Sequence, residues 1–203
     1  MAPTLHHVKN TRSLRPLWLL EELGADYTLI DEGPDTRAIK TDAYRAINPL
    51  GKVPCFTDGD VKITESVAIT QYIADRHGGT HLTRSAGDAD YADYLQLMYF
   101  GEAGMGGYVN MLITHTALLP EAHRNPAIAK WAAGEMETCV AYLDMTLGSK
   151  EYLLGDFSLA DISVTYVLFL MKITRNAGGF GETVNTYFKR ATGREAWQRA
   201  CAK

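Results

Sequence analysis

The sequence predicts an α/β amino-terminal domain followed by an all-helical carboxy-terminal domain, and three observations carry that prediction. Over the first 80 or so residues, short β-prone runs alternate with segments of helical spacing. A polar stretch, "THLTRSAGDA" (80–89), then interrupts the pattern. From Asp90 onward strand signals nearly vanish, and apolar residues recur at helical spacing. The expected domain bounds are 1–80 and 86–203.

Each element has a local reason. "TLHHV" (4–8) is the first candidate strand. In "LRPLWLLEELG" (14–24), Leu14, Leu17, Trp18 and Leu23 keep helical spacing, and Gly24 is placed to end the helix. "DYTLID" (26–31) reads as a second strand, and "TDAYRAI" (41–47) as a short helix ending before Asn48-Pro49. In "VPCFTDGDVKI" two β-prone runs are joined by Asp58-Gly59, which predicts an antiparallel hairpin because both residues tolerate positive φ. "ESVAITQYIADRHGG" follows as a helix, with Ser66 as candidate N-cap and Gly78-Gly79 as the stop. The predicted order is β-α-β-α-β-β-α. Beyond the linker, "YADYLQLMYF", "NPAIAKWAAGEMETCVAYLDMTL" and "SLADISVTYVLFLMKI" predict helices.

Composition narrows the function. Hydrophobic residues at 46% and charged residues at 22% describe an ordinary globular protein. A net charge of -4 with scattered basic residues excludes a nucleic-acid footprint and gives no support to membrane-surface binding. The start, "MAPTLHHVKN", lacks the pattern of a signal peptide, and no apolar run approaches the roughly 20 residues needed to span a bilayer. A cytoplasmic protein is expected. Cys55, Cys139 and Cys201 are odd in number and far apart, so neither a disulfide framework nor a CxxC redox pair is expected.

Chemistry concentrates in residues 48–78, "NPLGKVPCFTDGDVKITESVAITQYIADRHG". At Val53-Pro54 the cis form costs only about 0.5–1 kcal/mol, so Pro54 is where a cis turn can be built. Such a turn ahead of a strand would direct the N–H and C=O of Val53 toward a peptide-like ligand, as if adding a strand. An isolated Val-Pro pair more often protects a strand start. Glu65-Ser66 falls where a helix begins; there a free N–H and the positive dipole end suit a carboxylate, while Glu65 suits an ammonium.

These motifs resemble the glutathione S-transferase family, in which a Val-Pro pair enters a hairpin that ends in Glu-Ser at a helix start. "TRSLRPLWLLEELG" resembles that family's first helix and "FSLADISVTYV" its carboxy-terminal capping motif, so the likeness extends over nearly the whole chain. It implies a thioredoxin-like first domain, glutathione as co-substrate with no other cofactor and no metal, a small hydrophobic electrophile as second substrate, and a homodimer. It implies further that Val53, at the turn set by Pro54, pairs with the cysteinyl backbone, that Glu65 and Ser66 hold the γ-glutamyl end, and that Lys52 meets the glycine carboxylate. Alternative functions on the same fold are a non-catalytic glutathione or hydrophobic-ligand binder, and a glutathione-dependent peroxidase or disulfide reductase.

Glutathione reacts as its thiolate, and a free thiol has a pKa near ~8.5, so the site must supply hydrogen bonds to ionise it. The hydroxyls ahead of the first helix are Thr11 and Ser13. With Ser13 as N-cap, Pro16 falls within the helix's first turn, where proline is tolerated; this assigns Ser13 to capping and leaves Thr11 free to face the sulfur. Thr11 also stands four residues before Arg15, the spacing at which serine-type relatives carry their catalytic serine. Threonine can donate the same hydrogen bond but adds a methyl beside the sulfur. Asn10 is a further candidate donor, and Arg12 or Arg15 a source of positive potential.

Other signals are weaker. "FGEAGMGGYV" (100–109) places four glycines in a helical pattern, which predicts a close helix crossing, or a pocket wall with Met105, Tyr108 and Val109 facing the hydrophobic substrate. His77 and His81 are separated by Gly78-Gly79, so no metal site is expected. Ser158 and Asp161 have capping-box spacing and predict a folding role.

Overall fold

The computed structural model describes residues 2–176 and 178–203, which divide into two compact units. The first runs to Thr83 and takes in Gly193–Lys203; the second is Arg84–Thr192. The carboxy-terminal segment thus lies in the first unit rather than with the helices of the second. It does so because Trp197 meets Trp18 edge to face, at 4.7 Å between ring centroids, and Arg199 and Arg194 reach Glu21 and Glu22.

The first unit is a thioredoxin-like arrangement of a mixed sheet and helices. Strands β1 (Thr4–His7), β2 (Thr28–Asp31), β3 (Cys55–Asp58) and β4 (Val61–Ile63) stand in the order β2-β1-β3-β4. Strand β1 runs parallel to β2 and antiparallel to β3, with His6 opposite Cys55. The hairpin is as predicted, but its turn is displaced by one residue: Asp58 pairs with Val61 as the last residue of β3, so the loop is Gly59-Asp60, with Gly59 taking the positive φ of 58°. Helices α1 (Leu14–Leu23), α2 (Asp42–Ile47) and α3 (Ser66–Arg76) follow the sequence pattern. Apolar residues Leu5, Leu17, Trp18, Leu20, Phe56, Ile69 and Ile73 are fully buried.

Two helix starts differ from expectation. In α3 the N-cap is Glu65 and Ser66 is the first helical residue, so the helix starts one position earlier than predicted. In α1 Ser13 does occupy the N-cap with Pro16 in the first turn, yet its side chain makes no capping hydrogen bond. Its backbone is already helical, at φ -65° and ψ -15°, and its hydroxyl is engaged elsewhere.

The second unit is helical: α4 (Tyr91–Tyr99), α5 (Gly106–Ile113), α6 (Pro126–Leu147), α7 (Leu159–Ile173) and α8 (Glu182–Thr192). Helix α7 is apolar almost all round and is correspondingly enclosed. Its start carries the predicted capping box, with the Asp161 carboxylate accepting from Ser158 N–H at 2.8 Å and from Leu153 N–H at 3.0 Å. Between α4 and α5 the chain makes a π-helical turn, Phe100–Gly104. There the close-crossing reading of the glycines fits at Gly101, where a Cβ would lie 2.7 Å from the Ser163 carbonyl carbon and oxygen. The final helix, α9 (Glu195–Ala202), belongs to the first unit. Among the described residues, no helix is long and apolar enough to cross a membrane.

Candidate functional site

The site grows from the turn between β1 and α1. Asn10 takes a left-handed backbone, φ 61°, which asparagine tolerates better than most residues, and the turn brings Thr11 and Ser13 back over the end of β1. Thr11 Oγ1 donates to the Val8 carbonyl at 2.7 Å and lies 2.8 Å from Ser13 Oγ. Ser13 Oγ lies in turn 2.8 Å from His7 Nδ1 and accepts the Val8 N–H at 3.3 Å. The expectation of a free Thr11 hydroxyl is therefore corrected: it is half-exposed but already hydrogen-bonded on both sides. Ser13, expected to cap the helix, is fully buried and serves this network instead. Burial lowers the His7 pKa to about 4, with Lys9 acting in the same direction and Asp31 opposing, so the ring is neutral.

The antiparallel pairing of β1 and β3 sets Val53-Pro54 beside this turn. Because His6 is opposite Cys55, the residues just before β3 come alongside the end of β1. The Val53-Pro54 peptide is cis. Val53 precedes β3, so its backbone lies outside the ladder, and its side chain packs against the buried cluster of Val8, Ile39 and Tyr44. The preceding loop is clasped from below. Asn48 Nδ2 and Tyr44 Oη donate to the Lys52 carbonyl at 2.6 and 3.0 Å, and Lys40 Nζ donates to the Gly51 carbonyl at 2.6 Å. The Lys52 side chain is exposed.

Glu65 and Ser66 meet the same region through Arg15. Glu65 is exposed, whereas Ser66 is buried, with Oγ accepting from Arg15 Nη1 at 3.1 Å. Arg15 lies in the first turn of α1 and is 1% exposed, so the structure ties the start of α3 to the start of α1. A hydroxyl that accepts from a guanidinium keeps its own proton to donate. Beside it the first N–H groups of α3 have no intrahelical partner. Together they form a place for an anion with a buried cation beneath it.

The pocket residues expected in the second unit fare differently. Met105 and Val109 are fully enclosed, at 0% exposure, and offer no surface to a substrate. Flexibility and hydrophobicity, the properties that suggest a pocket wall, suit a core position equally well. Tyr108 is half-buried and packs edge to face on Trp131, 5.5 Å between centroids. Among the described residues no group of His, Cys, Asp or Glu side chains could hold a metal ion.

Sequence reasoning missed His7 and Asn48 and left Arg15 undecided. His7 reads from sequence as one more strand residue in "TLHHV". Two histidines in a run otherwise destined for the core were the available signal, since a buried imidazole requires a partner.

Comparisons with known proteins bear on the family. Residues 3–75 match the family model for the glutathione S-transferase amino-terminal domain. The chain is 30% identical to glutathione S-transferase 3 of Schizosaccharomyces pombe over 177 residues, covering 81% of this chain and 72% of that protein. It is 29% identical to glutathione S-transferase F13 of Arabidopsis thaliana over 196 residues, covering 93% and 85%. Among solved structures, the theta class glutathione S-transferase from Xanthomonas axonopodis pv. citri, with glutathione bound, superposes with a TM-score of 0.83 at 29% identity, covering 100% of this chain and 98% of that one.

Proposed function

Since the chain belongs to the glutathione S-transferase family, we propose that Thr11 activates glutathione in the first unit for attack on a small hydrophobic electrophile. The protein is a glutathione transferase. In the proposed arrangement the tripeptide lies along the edge formed by the β1 end, the Val53-Pro54 turn and the start of α3. Glu65 meets the γ-glutamyl ammonium. Ser66, with its hydroxyl and the N–H groups of α3, meets the adjoining carboxylate over Arg15. Val53 pairs with the cysteinyl backbone, Pro54 sets the turn, and Lys52 meets the glycine carboxylate.

The thiol gives its proton to water, and the thiolate accepts a hydrogen bond from Thr11 Oγ1. Its lone pair then forms the sulfur–carbon bond while the leaving group, or the conjugated acceptor, takes the displaced electron pair. One observation supports this reading above the rest: Val8 joins the two halves of the site. Its carbonyl receives the Thr11 hydroxyl, and its side chain belongs to the buried cluster against which Val53 packs. The likeness to the family adds a homodimer, and Tyr108 remains the candidate contact of the hydrophobic substrate.

The engaged Thr11 hydroxyl favours the rival reading of a binder that does not activate the thiol. A titration of the thiolate absorbance of bound glutathione separates the two. A hydrogen bond to a charged group contributes about 1.5–3 kcal/mol, which corresponds to one to two pKa units. We expect the bound thiol to titrate well below its free value, and Thr11→Ala to raise it by about that amount. Glu65→Ala should instead raise the dissociation constant. A bound thiol with an unshifted pKa decides for the binder.

A further inference from the structure

The hydrogen bonds between His7, Ser13 and Thr11 have a direction, and the count of donors and acceptors determines it. Each hydroxyl has one proton and two lone pairs. Suppose His7 carries its proton on Nδ1. Ser13 Oγ then accepts from His7 and from the Val8 N–H, and donates to Thr11 Oγ1. Thr11 accepts from Ser13 Oγ and from the Ser13 N–H at 3.4 Å, and donates to the Val8 carbonyl at 2.7 Å. Every contact shorter than 3.0 Å is satisfied, and only the longer approach of Ser13 Oγ to the Val8 carbonyl, 3.2 Å, goes without a proton.

The opposite tautomer does worse. If Nδ1 accepts, the Ser13 proton goes to His7 and the Thr11 proton must go to Ser13, so Val8 O loses its closest hydroxyl donor. The ring proton moves to Nε2, which is buried and has no hydrogen-bond partner among the described residues. An orphaned buried N–H is among the rarest features of folded proteins. The first arrangement makes one more hydrogen bond and leaves no buried donor unpaired.

We propose that His7 is a positioning residue for thiol activation: its Nδ1–H orients a one-way donor chain, His7 to Ser13 to Thr11, that leaves Thr11 only a proton to offer the sulfur. The inference rests on the reading that Thr11 faces the thiol. With both lone pairs of Thr11 Oγ1 occupied, the hydroxyl cannot accept from an S–H, which would stabilise the neutral thiol. It can only swing its proton from the Val8 carbonyl to the sulfur, which stabilises the thiolate. A hydroxyl that accepts while donating is also a stronger donor. The reverse tautomer would present a lone pair and favour the thiol, so one ring proton sets the sign of the effect. The lowered pKa of His7 keeps the ring neutral at physiological pH, and Asp31 and Lys9 are the charged groups that act on it. Hydrogen positions follow from this accounting.

Two measurements test the proposal. Nitrogen NMR of the histidine-labelled native enzyme reports the tautomer without any variant, and His7 should show protonated Nδ1 and bare Nε2 between about pH 5 and 8. Protonated Nε2 overturns the relay. The second measurement is the thiolate titration of bound glutathione. His7→Phe should raise the thiol pKa by about one unit, reducing the thiolate fraction about tenfold below it, with KM for glutathione within about twofold. His7→Asn, whose amide N–H can replace Nδ1–H, should recover most of that shift. If Thr11→Ala moves the thiol pKa and His7→Phe does not, the relay fails and the activation reading stands. If Thr11→Ala leaves the pKa unmoved, the activation reading fails, and the relay's role in catalysis with it.

Discussion

Asn48 illustrates how a residue with no reactive chemistry can control a binding edge. It is 1% exposed, its Nδ2 donates to the Lys52 carbonyl at 2.6 Å, and its Oδ1 accepts the Leu50 N–H at 3.1 Å. These two bonds, with the Tyr44 hydroxyl, hold the chain immediately before Val53. Asn48→Ala removes both and leaves the Lys52 carbonyl to the Tyr44 hydroxyl alone, a loss of about 1 kcal/mol for each bond. Because the clasp supports Val53 and Lys52 rather than the sulfur contact, we expect a raised KM for glutathione with the thiol pKa of the bound form unchanged. Steady-state kinetics paired with the thiolate titration checks this, and a shifted thiol pKa would show that the clasp and the Thr11 turn are coupled.

At the scale of elements, the tightest constraint lies where the π-helical turn after α4 crosses α7. Ser163 Oγ donates to the Met98 carbonyl at 2.7 Å, and Gly101 lies so close that an added Cβ would press on Ser163 backbone atoms. Backbone cannot retreat as a flexible side chain can, so Gly101→Ala should destabilise the protein by about 1–3 kcal/mol, read as a lower urea midpoint. By contrast, Gly107→Ala meets open space and should leave the midpoint unchanged or raise it. The four glycines of this stretch signalled a close crossing in the sequence, but not which of them makes it. That difference recurs across the molecule. Local devices were legible: a hairpin at Gly59, displaced by one residue from the Asp58-Gly59 expected, Pro16 in the first turn of α1, Ser158 with Asp161 in a capping box. Features that depend on partners far along the chain were not. The Arg15 contact with Ser66 joins residues 51 apart, and periodicity says only that both are buried. Ser13 combines the two cases: its position was predictable, while its hydroxyl's partner, His7, depends on how the turn folds back.

At the scale of the molecule, the clearest long-range tie within the first unit is the return of α9 onto α1. Glu21 is its centre: Arg199 Nε donates to Oε2 at 2.8 Å, Arg199 Nη2 to the Glu21 carbonyl at 2.8 Å, and Lys203 Nζ pairs with Oε1 at 2.6 Å, with the Tyr27 hydroxyl donating to the same oxygen. Burial acts to raise the Glu21 carboxyl, but the hydrogen bonds from Lys203, Tyr27 and Arg199 outweigh it and bring the pKa from 4.5 to about 2. The folded state therefore binds the proton less readily than the unfolded chain. Stability from this group is fully present above about pH 4.5 and is lost as pH falls toward 2. Asp161 works in the opposite sense. Burial raises it from 3.8 to about 6 against the hydrogen bonds of Leu153 and Ser158, so its contribution declines as pH rises through that interval. A single acid-denaturation curve would mix the two, but a comparison of the native protein with Glu21→Gln isolates the first, because Asp161 is common to both. We expect Glu21→Gln to melt lower at pH 7, since the amide presents an N–H among donors and leaves Arg199 and Lys203 without their anion. The gap in melting temperature should narrow steadily below pH 4.5, and a gap that stays constant down to pH 3 would show that α9 is held by the Trp18–Trp197 contact and apolar packing instead.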